Sequence, residues 1–186
     1  LLAKEIHKKR TTFLDEFIPV FQKHYDSIGS ENEQVHLVYK SQLNDAPMER
    51  LLVEYERKDV FTRYSNAGIH KDDLIFEIKG HPVKKFGSQG QQKSFLIALR
   101  LAQYEWLKEH LGVLPILLLD DIFDKLDHTR VERLMKLVAN NYFGQVLVTD
   151  TDAHRVQTIF GESDLKATIF SVEDGKVKQL IESEAI

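Results

Sequence analysis

Apolar residues recur at helical spacing through the first 28 residues, and this pattern predicts one long helix. Pro19 is expected to kink or divide that helix, because proline removes a backbone hydrogen bond and its ring clashes with the preceding turn. A strand is predicted over residues 34–41. A second helix is predicted after Pro47, since proline is tolerated in a first helical turn. Residues 1–67 are therefore predicted to form a mixed, mainly helical lobe.

From residue 68 onward, apolar residues occur in short runs that alternate with helical stretches. Residues 74–86 predict a hairpin with a polar face, and residues 95–111 predict a strongly apolar helix. Two short apolar strands follow, each with a helix after it, and this order predicts a parallel α/β sheet covered on both faces. Asp174-Gly175 predicts the turn of a closing hairpin. Residues 68–186 are therefore predicted to form a second, α/β lobe.

Composition narrows the class of protein only modestly. The chain has 186 residues, of which 42% are hydrophobic and 29% charged, as in ordinary globular proteins. No stretch approaches the ~18 apolar residues of a membrane span. The absence of cysteine excludes disulfides and thiolate metal sites and fits a reducing cytoplasm. A net charge of -4 gives no overall attraction to nucleic acid, so DNA contact would need a local basic patch or a partner. The chain begins with Leu1 rather than methionine, so we expect a fragment.

The apolar run Ile116–Leu119 ends in two adjacent carboxylates, Asp120 and Asp121. Ligands of open α/β sheets bind at the carboxyl ends of strands, and adjacent carboxylates there are unfavourable without a cation or a proton. A division of labour satisfies this constraint, because one carboxylate can hold Mg²⁺ while its neighbour activates a water. This is the pattern of a Walker B strand, with Asp120 as the Mg²⁺ residue and Asp121 as the catalytic base. The structural alternative is a polar strand end that caps the following loop.

The stretch GSQGQQKS, residues 87–94, resembles a phosphate-binding P-loop at its two ends. Gln92 stands where that loop requires glycine. A P-loop also follows a buried strand, whereas the segment before this stretch, residues 83–86, is short and charged. The P-loop interpretation therefore fails. Serine, glycine and glutamine before a helix also occur in the signature motif of ABC-type ATPases. There the hydroxyl, an amide and the helix N-terminus meet the γ-phosphate of a nucleotide held by another protomer.

Together with GIHKDDL, residues 68–74, these motifs resemble the C-terminal part of the RecF family. Members of this family carry a Gly-x-His-Arg-Asp-Asp segment, and Lys71 replaces the arginine here. By motif, the resemblance covers roughly residues 65–155. It implies the fold of the C-terminal part of an ABC-type P-loop NTPase head, with a parallel-sheet core, flanking helices, a C-terminal hairpin and part of a helical lobe. The P-loop lobe is missing, because no Gly-x-x-x-x-Gly-Lys-Ser/Thr occurs in the chain.

The resemblance also implies roles for individual residues. Asp127 matches the final acid of the D-loop, which crosses the dimer interface, whereas Asp124 stands where serine is common. Asp150 occupies the switch position, which is Thr-like in RecF, so a phosphate-sensing role for it is not expected. The residues implied to bind nucleotide in trans are Ser88, Gln89, Gly90 and Gln91.

For the intact protein, the resemblance implies an ATP-dependent homodimer in the bacterial cytoplasm, with ATP and Mg²⁺ as cofactors. Its expected partners are DNA at single-/double-strand junctions, RecO and RecR, and its expected role is to help load recombinase at gapped DNA. The isolated chain is expected neither to bind ATP tightly nor to hydrolyse it. Two alternatives stay open: another SMC-like ATPase head, and a catalytically silent interaction module with an ATPase-like fold.

Overall fold

The computed structural model of the chain describes residues 2–29, 33–123, 125–139, 143–161 and 167–182. The elements, in chain order, are α1 Leu2–Ile28, β1 Val35–Lys40, α2 Met48–Thr62, β2 Asp73–Ile78, β3 His81–Pro82, α3 Val83–Phe86, α4 Gln89–Leu111, β4 Leu117–Leu119, α5 His128–Ala139, β5 Val146–Val148, α6 Ala153–Gly161, β6 Thr168–Glu173 and β7 Lys176–Glu182. The described chain divides into two compact units, Leu1–Trp106 and Leu107–Ile186.

The first unit packs helices α1 and α4 against an antiparallel sheet of order β1-β2-β3. Alternation along β1 turns Val35 and Leu37 towards the core, as expected for a sheet with one covered face. Aromatic rings join the two helices, with the Phe21 and Phe95 centroids 4.7 Å apart. The buried core residues are Phe17, Phe21, Tyr25, Val35, Leu37, Ile78, Val83, Phe95, Ala98 and Ala102.

Helix α1 runs without interruption through Pro19, so the expected division of this helix is not found. An interior proline costs about 3 kcal/mol or more of helix stability. Phe17 and Phe21 lie on either side of Pro19 and are both buried in the core. Burial of two such aromatic side chains contributes stabilisation of that order, which explains why the helix continues.

Two local predictions for residues 83–95 were wrong. The hairpin strand ends at Pro82, and Val83–Phe86 forms a short helix instead of continuing as a strand. Pro82 has no N–H for a sheet ladder, and its fixed φ suits a residue that precedes a helix. Helix α4 begins at Gln89 rather than Phe95, because its first turn is polar and lacks the apolar periodicity on which the prediction rested.

In the second unit, β4 and β5 pair in parallel, with Leu118 opposite Leu147. This confirms the parallel sheet predicted from the two apolar runs. The prediction that both faces are covered was wrong for this chain: Leu117 and Leu119 are buried, but Leu118 is 68% exposed and Leu147 49% exposed. The two-stranded sheet therefore has one packed face and one open apolar face in the described residues.

The closing hairpin is also confirmed, since β6 pairs with β7 in antiparallel fashion. Asp174 and Gly175 both have positive φ values, 50° and 73°. Such values are typical of the tight turns that match the twist of a β-hairpin, and Asp-Gly is a favoured pair there.

The expected lobes of residues 1–67 and 68–186 remain a prediction about the family's architecture. In this structure β1 pairs with β2 across that boundary, and the compact units divide after Trp106. Within the described ranges, no helix combines the length and apolar character needed to cross a membrane.

His24 of α1 and Glu105 of α4 form a buried polar pair, with side chains 5% and 8% exposed. The His24 Nε2 lies 2.7 Å from one Glu105 oxygen, and Lys23 Nζ donates to the other oxygen at 3.0 Å. Burial lowers the pKa of His24 despite the opposing hydrogen bond with Glu105. Burial acts to raise the pKa of Glu105, but the hydrogen bonds from Lys23 and His24 outweigh it and keep this pKa below its ordinary range.

We expect the neutral His24 to make the first unit less stable in mild acid. Because the folded pKa lies below the ordinary value of about 6.5, the unfolded chain binds the proton more readily and stability falls as the pH drops below that value. His24→Gln keeps an N–H donor for Glu105 but does not titrate. It should therefore reduce the loss of unfolding free energy between about pH 7.5 and about pH 5.5.

Urea unfolding followed by the fluorescence of Trp106, the one tryptophan of the chain, measures this effect. His36 is exposed on β1, and His36→Gln serves as the control that should retain the wild-type pH dependence. An unchanged pH dependence in His24→Gln would contradict the assignment.

Candidate functional site

The first candidate site lies at the carboxyl ends of β4 and β5. Asp120 follows β4 and Thr149 follows β5, and both residues are exposed. The Thr149 N–H donates to the Leu119 carbonyl at 3.0 Å, which extends the parallel pairing by one bond. The edge predicted for Asp120 and Asp121 is therefore the edge where ligands of α/β sheets bind.

The Thr149 hydroxyl contacts both candidate acids. It donates a hydrogen bond to Oδ1 of Asp120 and accepts the Asp121 N–H at 3.1 Å. One side chain, on the residue that follows β5, thus contacts both the carboxylate of Asp120 and the backbone of Asp121. No motif marks Thr149 in the sequence, and only its position at the end of a strand parallel to the acidic strand indicates that it lies near the two acids.

Asp121 adopts a left-handed backbone conformation with φ of 47°. Aspartate tolerates this conformation better than most residues do. The conformation is nevertheless uncommon outside glycine, and contacts with surrounding residues usually hold it in place. The next two residues, Ile122 and Phe123, are each only 2% exposed. The chain therefore turns sharply at Asp121, so that an exposed carboxylate precedes two buried anchors.

Asp120 suits a magnesium ion that also binds a phosphate. The described residues contain no group of three or more His, Cys, Asp or Glu side chains able to hold a metal by themselves. Mg²⁺, however, commonly takes one or two carboxylates and completes its shell with water and substrate phosphate oxygens. In the described part of the chain, only Oδ1 of Asp120 is hydrogen bonded, so Oδ2 can face such an ion.

Asp127 caps helix α5. Its carboxylate accepts the Arg130 N–H at 3.0 Å and the Arg130 Nε–H at 3.0 Å, while its side chain stays 61% exposed. This explains the residue locally, and its role in a dimer interface stays a prediction. Asp124 lies outside the described residues.

The side chain of Asp150 is fully buried, whereas the two acids at the sheet edge are exposed residues. Its Oδ1 accepts the Asp152 N–H and an Arg155 Nη2–H, each at 2.7 Å. Asp152 in turn accepts the Arg155 N–H at 3.1 Å and caps α6. The 150–152 segment is therefore a helix-capping turn, and the expectation that Asp150 does not sense phosphate stays a prediction.

The second candidate site, residues 88–91, lies at the start of α4 in the first unit. Ser88 Oγ accepts the Gln91 N–H at 3.2 Å, and the Gln91 side-chain oxygen accepts the Ser88 N–H at 2.8 Å. This reciprocal pair is a capping box, which satisfies two backbone donors at a helix start. Gln89 and Gly90 form the first turn between them, so these positions belong to the helix rather than preceding it.

Gln91 is further held by Glu33, which sequence analysis did not identify. The Gln91 Nε2 donates to Glu33 Oε1 at 2.9 Å, and the Tyr25 hydroxyl donates to the other Glu33 oxygen at 2.9 Å. The side chain of Gln91 therefore has a fixed orientation. No sequence signal marks Glu33, because the contact joins residues that are far apart in the chain.

The GIHKDDL segment ties α1 to the first sheet. Asp72, whose side chain is 4% exposed, accepts hydrogen bonds at 2.6 Å from Arg10 and from the Tyr39 hydroxyl. Arg10 also donates to the Ile69 carbonyl at 2.8 Å. Burial acts to raise the pKa of Asp72, but the hydrogen bonds outweigh it and lower that pKa. The segment thus has a structural role.

Solved structures establish the fold class. The chain is similar to the recombination mediator protein RecF-ATP in the RecFOR pathway, with a TM-score of 0.67 at 24% identity over 97% of this chain and 48% of that chain. It is also similar to an Smc head domain with a coiled coil from Pyrococcus yayanosii, with a TM-score of 0.59 at 17% identity over 95% of this chain and 29% of that chain. The fold is therefore that of part of a RecF- or SMC-type ATPase head.

Sequence similarity identifies the family within this class. The chain is 52% identical over 170 residues to the DNA replication and repair protein RecF of Flavobacterium johnsoniae. The match covers 91% of this chain and 47% of that relative, so the chain spans about half the length of the curated relative. No protein-family model matches. The chain belongs to the RecF family and corresponds to the C-terminal part of its members, as its motifs predicted.

Two neighbouring acids test the structural role of the GIHKDDL segment. Asp72→Asn removes the charge that Arg10 and Tyr39 contact and should lower the free energy of unfolding by roughly 1–3 kcal/mol. Asp73 is exposed, and among the described residues its side chain bonds only the Leu74 N–H, so Asp73→Asn should stay within about 0.5 kcal/mol of wild type. Urea unfolding measures both values. Equal effects of the two substitutions would contradict the assignment.

Proposed function

We propose that the chain supplies the Walker B and signature parts of an ATP-dependent DNA replication and repair ATPase. Support comes from the name of the relative at 52% identity, which is a DNA replication and repair protein, and from the shared fold with a RecF-ATP structure. A P-loop held elsewhere in the intact protein would complete the nucleotide site.

The observation that carries this proposal is the pair of acids at the sheet edge. Asp120 is an exposed residue with one carboxylate oxygen bonded to Thr149, which suits contact of the other oxygen with the Mg²⁺ of Mg-ATP. Mg²⁺ would neutralise charge that develops on the phosphates. Asp121 lies next in the chain with an exposed side chain, and we assign it the role of orienting and deprotonating the attacking water.

The start of α4 is proposed to bind the γ-phosphate of a nucleotide on a second protomer. The positive end of the helix dipole favours an anion there, as do the N–H groups of Gln89 and Gly90, for which the described residues supply no partner. In the capping box, Ser88 Oγ acts as an acceptor, and its hydroxyl proton can still be donated to a phosphate oxygen. The capping and binding roles of Ser88 are therefore compatible.

The remaining elements of the proposal concern the intact protein. They comprise an ATP-dependent homodimer, with Asp127 near its interface, that acts in the cytoplasm on DNA junctions with RecO and RecR and helps load recombinase at gaps. Each of these statements rests on the chain's membership of the RecF family, and none rests on a contact described above.

Asp121→Asn in the full-length protein tests the catalytic role. Asparagine also tolerates the left-handed backbone at this position, so the fold should be kept. The rate of ATP hydrolysis should fall roughly 10²- to 10⁴-fold, the range for loss of a general base, while ATP binding stays near wild type. Asp174→Asn, at an exposed positive-φ turn, is the matched control. Unchanged hydrolysis in Asp121→Asn would instead support a catalytically silent module.

Mixing two inactive variants tests whether the signature acts in trans. Ser88→Asp keeps a good helix cap but places a negative charge against the phosphate, so it should inactivate the protein. If Asp121→Asn and Ser88→Asp protomers are mixed in equal amounts, half the dimers are mixed and each contains one intact site. Since each of these mixed dimers has one of its two sites intact, roughly a quarter of the wild-type ATPase rate should return. No recovery would contradict action in trans.

A further inference from the structure

We infer that Thr149 is a positioning residue that sets the geometry of the two Walker B acids. This inference rests on the proposed ATPase function and adds a residue outside the motifs that define it. It assigns to the hydroxyl of Thr149 the task of aiming Asp120 at the metal and Asp121 at the attacking water.

The Thr149 hydroxyl both donates and accepts a hydrogen bond. A threonine side chain has one O–H donor and can accept through its lone pairs. Here the donor is directed at Oδ1 of Asp120, and the acceptor takes the Asp121 N–H. The backbone of Thr149 is itself fixed by its N–H bond to the Leu119 carbonyl. The hydroxyl therefore belongs to a residue whose backbone is bonded to the neighbouring strand.

The two contacts have different consequences for the acids. The bond to Oδ1 restricts rotation of the Asp120 carboxylate, so that Oδ2 keeps one direction. The bond from the Asp121 N–H holds a left-handed residue at the point where the chain turns. Since a misplacement of about 1 Å can reduce a catalysed rate about 10²-fold, such restraint matters more for turnover than for stability.

Stability alone does not explain this arrangement. Asp120, Asp121 and Thr149 are all exposed, and a hydrogen bond between such groups contributes only about 1 kcal/mol or less to folding. The buried Leu117 and Leu119 side chains anchor the neighbouring strand without any help from the hydroxyl. Asp150, the next residue, is turned inwards and bound by Arg155, so it cannot replace Thr149.

Three variants of the full-length protein test the inference. Thr149→Val keeps the branched shape but removes the hydroxyl, Thr149→Ser keeps the hydroxyl, and Thr168→Val changes an exposed strand threonine of the same unit as a control. Thr149→Val should lower kcat for ATP roughly 10- to 100-fold, with a much smaller change in KM for ATP. Thr149→Ser should stay within about threefold of wild type, and Thr168→Val should equal it.

Binding without turnover provides the second measurement. A fluorescent, non-hydrolysable ATP analogue is titrated with Mg²⁺, and the half-saturating Mg²⁺ concentration is compared between the variants. We expect it to rise about tenfold in Thr149→Val and to stay near wild type in Thr149→Ser, because a misaligned Asp120 carboxylate loses roughly one charge-assisted contact. If circular dichroism shows that Thr149→Val is unfolded, Thr149→Ala takes its place in both measurements.

The outcomes separate this inference from the function on which it rests. If Asp121→Asn abolishes hydrolysis but Thr149→Val matches wild type in both measurements, only the role of Thr149 is overturned. Equal losses in Thr149→Ser and Thr149→Val also overturn it, because the hydroxyl would then not matter. If wild type does not hydrolyse ATP, the proposed function itself fails and the inference fails with it.

Discussion

The parallel register of β4 and β5 determines which polar groups meet at the end of the second unit's sheet. Leu119 lies opposite Val148, so the next residues along the two strands, Asp120 and Thr149, are neighbours. In a strand, a shift of one residue reverses the face to which every side chain points. Such a shift would turn Leu117 and Leu119 out of the core, so burial of these leucines enforces the register. Apolar packing thereby fixes the position of the hydroxyl that holds the acids.

A comparable dependence holds in the first unit, where the start of α4 is fixed by residues on other elements. Glu33 receives hydrogen bonds from Tyr25, which is buried in the core, and from Gln91. Gln91 completes the capping box with Ser88. The helix N-terminus is therefore restrained through Tyr25 and Glu33 to the core formed by α1. A phosphate that binds there would meet amides whose orientation is already determined, which reduces the entropy lost on binding.

Local patterns in the sequence predicted the elements whose formation depends on neighbouring residues. The Asp174-Gly175 turn, the two apolar strands and the long first helix were found in this way. Val83–Phe86 was mistaken for a strand because four residues are too few to show a period. The exposure of Leu118 could not be predicted, since a continuous apolar run does not reveal which face is covered. Thr149 and Glu33 were missed because their partners are distant in sequence.

The partner of Asp120 differs from the partners of three other aspartates of the chain, Asp72, Asp127 and Asp150. Asp72 is bound by Arg10, Asp127 by Arg130 and Asp150 by Arg155, so each of these charges is compensated by an arginine. Within the described residues, Asp120 instead contacts a neutral hydroxyl. A hydroxyl orients a carboxylate without cancelling its charge, and the adjacent Asp121 adds a second negative group. An aspartate with an arginine partner stabilises the fold, whereas Asp120 is oriented without being neutralised, stands beside a second acid and lies at a strand end where ligands bind, which suits it to a cation from outside the chain.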